Sequence, residues 1–209
     1  MATPRVSSIA RPVWRSFRSE FLHRAAQHVR AGGFSAVFYA SGDIKVLLPR
    51  RRDGSLTEMA LWALLSIDVR RWGRARSGAA RGLAAVRVKK HHREIIREWC
   101  ERDAEEPEPT RVMELDCFAC GACCRDNRVV LEKPDLSRWR AKRPELLQRS
   151  YLRRSNGTVL LRLVKGACVH LEEGNRCAIY RLRPGNCREF PVAAEPCLAA
   201  RLETLGIVD

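Results

Sequence analysis

The chain has 209 residues, a formal net charge of +15 and nine cysteines. Its 45% hydrophobic content excludes wholesale disorder, and its length allows one domain or two small ones. The charge is uneven: residues 1–99 hold 20 Lys and Arg against 7 Asp and Glu, whereas residues 100–209 hold 19 against 17.

The first 19 residues are rich in Arg and Ser and lack acids until Glu20, a composition shared with organellar transit peptides. From Phe34, the alternation in AVFYA, the turn signal Ser41-Gly42-Asp43 and the run IKVLL predict a β-hairpin, closed by Arg50-Arg51-Arg52 and Asp53-Gly54. Ser55 and Glu58 have capping-box spacing. Leu61, Leu65, Val69 and Trp72 follow at helical spacing, and a second helix is predicted over about Leu83–Trp99. His91 and His92 lie on that helix without a partner at metal spacing and read as part of a basic face. Glu101–Pro109 is acidic and proline-bearing, the composition of a linker. Beyond it, Pro134-Asp135 opens a short helix through Trp139, and Asn156-Gly157 marks the tip of a second hairpin. The longest apolar stretch, Met59–Ile67, is far short of the roughly 18 residues a membrane helix needs. With no secretory apolar segment near the start, a cytoplasmic chain without a membrane partner is expected.

Eight of the nine cysteines fall between Cys117 and Cys197. Cys117, Cys120, Cys123 and Cys124 form C-x2-C-x2-C-C, followed by Cys168, Cys177, Cys187 and Cys197. A C-x2-C step lets a short turn aim two sulfurs at one point, the usual presentation of thiolates to zinc or iron. Reducing compartments keep thiols free, which disfavours a disulfide framework. Eight thiols suit two four-coordinate sites, one cluster with auxiliary ligands, or one multinuclear centre. Adjacent side chains diverge in an extended segment, so Cys123 and Cys124 are expected to serve different metals or a multi-iron cluster. Zinc-ribbon spacing is absent. His170 is a possible further ligand, though a hydrogen-bonded histidine is the simpler reading. Cys100 reads as a packing cysteine at a helix end. Gly121 permits a left-handed turn in the knuckle, and Pro184 and Pro191 stiffen the loops around Cys187. Arg183 and Arg188 are candidates for offsetting thiolate charge, and Tyr180 and Phe190 read as core residues.

The string Cys117-x2-Cys120-Gly121-x-Cys123-Cys124, then Cys168, then Cys177-Ala-Ile179-Tyr180-x2-Arg183-Pro184-x2-Cys187-Arg188-x-Phe190-Pro191 resembles the CxxCxxCC cysteine-cluster family of zinc- or iron-chelating proteins. The resemblance spans about Leu115–Cys197 and places the family's eight cysteines on the eight named above. Flagellin lysine N-methylases carry a similar cluster, so the resemblance also admits a link to protein methylation. The basic N-terminal half has no counterpart in it.

The expectation is therefore an α+β chain: a basic hairpin-and-helix region over residues 1–100, a linker over 101–109, and a small irregular, metal-stabilised cysteine-cluster domain over 110–209. Its cofactor is zinc or iron, including an iron–sulfur cluster, with a protein or polyanionic partner for the basic half. No G-x-G-x-x-G, Ser-His-Asp or radical S-adenosylmethionine signature assigns a reaction, and iron–sulfur enzyme and nucleic-acid-binding functions are the alternatives.

Overall fold

The computed structural model describes residues 6–209. The chain is α+β and packs as two units, Ser8–Met113 with Ala193–Pro196, and Glu114–Val192 with Cys197–Val208 and, of the described N-terminal residues, Val6 and Ser7.

The first of these is built on a mixed five-stranded sheet. Strand β1 (Val6–Pro12) pairs separately with β7 (Thr110–Asp116). Strand β2 (Trp14–Arg18) runs through α1 (Leu22–Arg30) to a parallel neighbour, β3 (Phe34–Phe38). Strand β4 (Ile44–Leu48) pairs antiparallel with β3 as the predicted hairpin, Phe38 opposite Ile44. After α2 (Glu58–Ser66) come β5 (Gly73–Arg74) and β6 (Ala84–Val88), and the sheet order is β2-β3-β4-β6-β5. Helix α3 (Arg93–Arg102) follows. One sheet face, through Trp14, Phe34, Ile44, Val46 and Val86, packs on α2 and α3. The other, through Val37 and Leu47, packs on Ala25, Ala26 and Val29 of α1.

Several local expectations change here. The α2 cap is Thr57, whose Oγ1 accepts from Ala60 N–H (3.4 Å), not Ser55. The helix expected over Leu83–Trp99 is two elements. In AAVRV of β6, Ala84, Val86 and Val88 face the core while Arg87 is exposed, a period of two that pairs with β4 and overrides helical spacing. The acidic segment Glu101–Pro109 is not solvated throughout. Asp103 is fully buried, accepts from Trp14 N–H (2.8 Å) and pairs with Arg11 (2.8 Å). Arg11 also binds Glu195 (2.8 Å), which Arg102 holds from the other side (2.8 Å). The transit-like composition near the start therefore includes structural residues: Arg11, Val13 and Trp14 are all buried.

The cysteine-bearing unit is built from short pieces. It contains α4 (Cys117–Cys120), α5 (Lys133–Lys142), and the hairpin β8 (Leu152–Ser155) and β9 (Thr158–Leu161). Asn156 and Gly157 form the hairpin tip with φ of 47° and 75°, as the Asn-Gly signal predicts. A smaller hairpin, β10 (Leu163–Val164) and β11 (Ala167–Cys168), turns at Lys165-Gly166. Then come α6 (Gly185–Arg188) and α7 (Glu195–Leu205). Its apolar centre is Trp139, Leu146, Leu161 and Ile179, with Cys168 buried among them and Cys124, Cys177 and Cys187 packed against it. Among the described residues, no helix is long and apolar enough to cross a membrane.

Candidate metal centre

Asp116 sets the entry to the cysteine run. Its Oδ1 accepts from the backbone N–H groups of Phe118 (2.9 Å) and Ala119 (3.3 Å) and so caps the single turn α4. Cys117 and Cys120, three residues apart, share one face of that turn. Gly121 ends it at φ +67°, and a Cβ there would lie 2.8 Å from Asn175 Cβ. Both the left-handed backbone and the close approach require glycine. The chain then enters a tight turn over Ala122–Cys124, where Cys124 N–H donates to Gly121 O (3.1 Å). The segment is thus not extended, and the expected divergence of Cys123 and Cys124 does not occur: the two side chains lie within hydrogen-bond reach of each other.

The remaining cysteines arrive on three loops. The β10–β11 turn fixes Cys168, with Asp126 N–H donating to Gly166 O (2.7 Å) to lock it against the first knuckle. Cys177 bridges Leu171, and Ala178 N–H donates to His170 O (2.9 Å). The sulfurs of Cys168 and Cys177 each accept a backbone N–H from two residues on, His170 and Ile179 respectively. Cys187 sits in α6, whose first turn is set by Pro184: its carbonyl accepts from Cys187 N–H (3.1 Å).

Seven thiols form one electrostatically connected set. Cys117 faces Cys123 and Cys120, while Cys124 faces Cys123, Cys177 and Cys168. Cys187 faces Cys168, Cys123 and Cys177. Burial pushes the thiols of Cys117, Cys168 and Cys177 up, and that of Cys187 to about 12. Cys123 goes the other way, lowered by its hydrogen bond with Cys124 and by nearby Arg183. Arg183 also favours the thiolates of Cys117, Cys177 and Cys187. Its guanidinium stacks 3.8 Å from the Tyr180 ring centroid, which Phe118 meets edge-on at 5.0 Å. Tyr180 therefore aims a cation at the cluster as well as packing, whereas Arg188 is exposed. Cys197 lies on α7 four residues before Arg201, on the same helical face. Arg201 Nη1 contacts Cys120 Sγ at 3.3 Å.

His170 is buried, stacked on Tyr151 at 4.8 Å and edge-on to Trp139 at 6.1 Å. Burial lowers its pKa to about 4, so it is neutral, and its Nε2 has no hydrogen-bond partner among the described residues. Cys100 lies in the core of the other unit, as expected of a packing cysteine.

Three supporting residues escape a reading focused on cysteines. Buried Asp135 accepts from Gly185 N–H (3.0 Å), at the start of the turn that carries Cys187, and from Arg138 (2.7 Å). Trp139 Nε1 donates to Leu182 O (2.7 Å), and Arg138 to Arg183 O (2.9 Å). Asp135 is visible in the sequence as the carboxylate three residues after Glu132, whose N–H it accepts (3.1 Å). Nothing local marks its second contact, 50 residues away.

The donor set is soft, half-buried except for the buried Cys168, and answered by Arg183 and two backbone N–H groups, which fits zinc, iron or an iron–sulfur cluster and does not fit a hard, oxygen-seeking cation. Among the described residues, no three His, Cys, Asp or Glu side chains are already disposed about a common point as a metal would hold them. Residues 116–204 match the family model CxxCxxCC, described as a "putative zinc- or iron-chelating domain". That match takes in all eight cysteines of the sequence pattern and covers less than half of the chain. Neither a curated protein nor a solved structure matches the chain.

Proposed function

We propose that residues 110–209 form a zinc- or iron-chelating domain whose ligands are Cys117, Cys120, Cys123, Cys124, Cys168, Cys177, Cys187 and Cys197. The observation that carries this reading is Cys123. Its charge acts on Cys117, Cys124, Cys168, Cys177 and Cys187 alike, so the thiols read as one multinuclear centre and not as two separate tetrahedra. The bound group would supply thiolate-bound zinc for structure, or iron for one-electron chemistry.

The protein's own contribution is proton management and orientation. Thiols that burial keeps protonated must release protons as metal binds, so loading is coupled to pH. Arg183, which favours the thiolates of Cys117, Cys123, Cys177 and Cys187, offsets the charge that accumulates as thiols deprotonate. The amides of His170 and Ile179 hydrogen-bond the sulfurs of Cys168 and Cys177 and would orient them as ligands. An unit this small has a limited core, so metal contributes to its folding.

Replacing Cys120 or Cys187 by Ser tests the assignment. Both variants are expected to lose metal and to show a lower Tm for the cysteine-bearing unit. Unchanged metal content in both, measured by plasma emission on protein purified without oxygen, contradicts the ligand set.

A further inference from the structure

The arginines of the other unit look scattered in the sequence, but the fold gathers many of them. Between Arg50 and Gly82 there are eight arginines and no lysine. Strand β5 is an edge of the sheet, with Arg74 opposite Ala84, and the loop after it carries Arg76 and Arg81. Ala75 N–H donates to Leu83 O (2.9 Å) and Gly82 N–H to Ala75 O (2.9 Å), which ties the loop back onto the edge. Arg30, at the end of α1, reaches the same loop through Ala79 O (2.6 Å). Arg50 bonds Gly82 O (3.4 Å) and lies over the Trp72 ring, 5.7 Å from its centroid. The turn closed by the Arg50–Leu56 bridge adds Arg51 and Arg52 alongside.

Little opposes this charge. Arg51, Arg52, Arg74, Arg76 and Arg81 are exposed and have no ion-pair partner among the described residues. Asp53, whose carboxylate accepts from the N–H and hydroxyl of Ser55 (2.9 and 2.7 Å), lies near Arg51 and offsets one charge of the turn, which stays net positive. Among the described residues, Asp68 pairs only with Arg70, at 3.5 Å. A one-signed surface repels itself until a polyanion covers it. The use of arginine alone favours phosphate, which the guanidinium fork binds through two hydrogen bonds. Gly78 and Gly82 have open space where a Cβ would sit, so no side chain covers the loop at these two positions. The surface presents an edge strand and loops, with no helix to enter a major groove, so its contacts are with the sugar–phosphate backbone and not with base edges.

We propose that the β5 edge, the loop over residues 75–83 and the adjoining Arg50–Arg52 turn form a nucleic-acid-binding surface that grips the phosphate backbone. The test uses the full-length, metal-loaded protein with fluorescein-labelled single-stranded RNA and duplex DNA, read by anisotropy across a salt series. Binding to either probe is expected to weaken steeply with salt. The triple variant Arg74→Glu/Arg76→Glu/Arg81→Glu should lose about a hundredfold in affinity and, on single strands, about 2 from the slope of log affinity against log salt. A control triple, Lys89→Glu/Lys90→Glu/Arg93→Glu, makes the same charge change at the opposite end of β6 and should stay within about threefold of wild type. Equal losses in the two triples would overturn the proposal, since net charge alone would then explain binding. It is equally overturned if neither probe binds at low salt, or if only anionic phospholipid vesicles do.

Discussion

At Gly121 two independent constraints meet, a backbone at φ +67° and a neighbour 2.8 Å from any added Cβ. Gly174, at φ +74°, carries the first constraint without the second, because nothing lies within 4 Å of its Cβ position. Gly174→Ala is therefore expected to cost about 1–2 kcal/mol, the left-handed penalty alone. Gly121→Ala should cost more and also lower metal affinity, as the knuckle must move off Asn175. Denaturant melts of the two metal-loaded variants check this, and equal losses would remove the steric part of the argument. Cys100 makes a pH prediction at the same scale. Burial, reinforced by Asp103, pushes its thiol from 9.0 to about 12. The folded state keeps that proton while the unfolded chain releases it, so Cys100 contributes stability below about pH 9 that is lost as pH rises toward 12. Across that window wild type should lose up to ~1.4 kcal/mol per pH unit more than Cys100→Ala. Parallel stability profiles for the two proteins would show that the thiol ionises equally in both states.

Among the elements, α5 has the widest influence on the site although it carries no cysteine. Through Asp135, Arg138 and Trp139 it fixes Gly185, Arg183 and Leu182, the stretch from which Cys187 and the facing cation both emerge. Asp135→Asn keeps the shape but weakens this brace. It should lower metal affinity about tenfold at unchanged stoichiometry, measured by competition with a chromogenic chelator. Loss of stoichiometry or an unchanged affinity would each contradict a positioning role. The elements differ in how far the sequence announces them. The hairpins at Gly42 and Asn156-Gly157 were legible because turn chemistry is local. Strand β6 was not, because its helix-like neighbourhood becomes a strand only when β4 is beside it. Asp103 and Glu195 were equally hidden, since two carboxylates become core residues only where Arg11, Arg102 and Trp14 meet them.

In the whole molecule, chemistry and charge are divided between the units: soft thiols in one, a guanidinium-rich sheet edge in the other. The ligand types were legible in the cysteine spacing, but the mutual arrangement was not. The Cys123–Cys124 contact, the Arg183–Tyr180 stack and the Arg201–Cys120 contact join residues whose side chains the sequence cannot orient. In the proposed function these thiols hold metal as one centre. The most direct test is metal and acid-labile sulfide analysis of the full chain, with a visible absorption spectrum, after purification without oxygen. A shared thiolate centre predicts bound iron with sulfide and a coloured protein, or about two or more colourless zinc ions per chain, lost in either case in the Cys123→Ser variant. A metal-free protein with the eight cysteines paired as disulfides would contradict it.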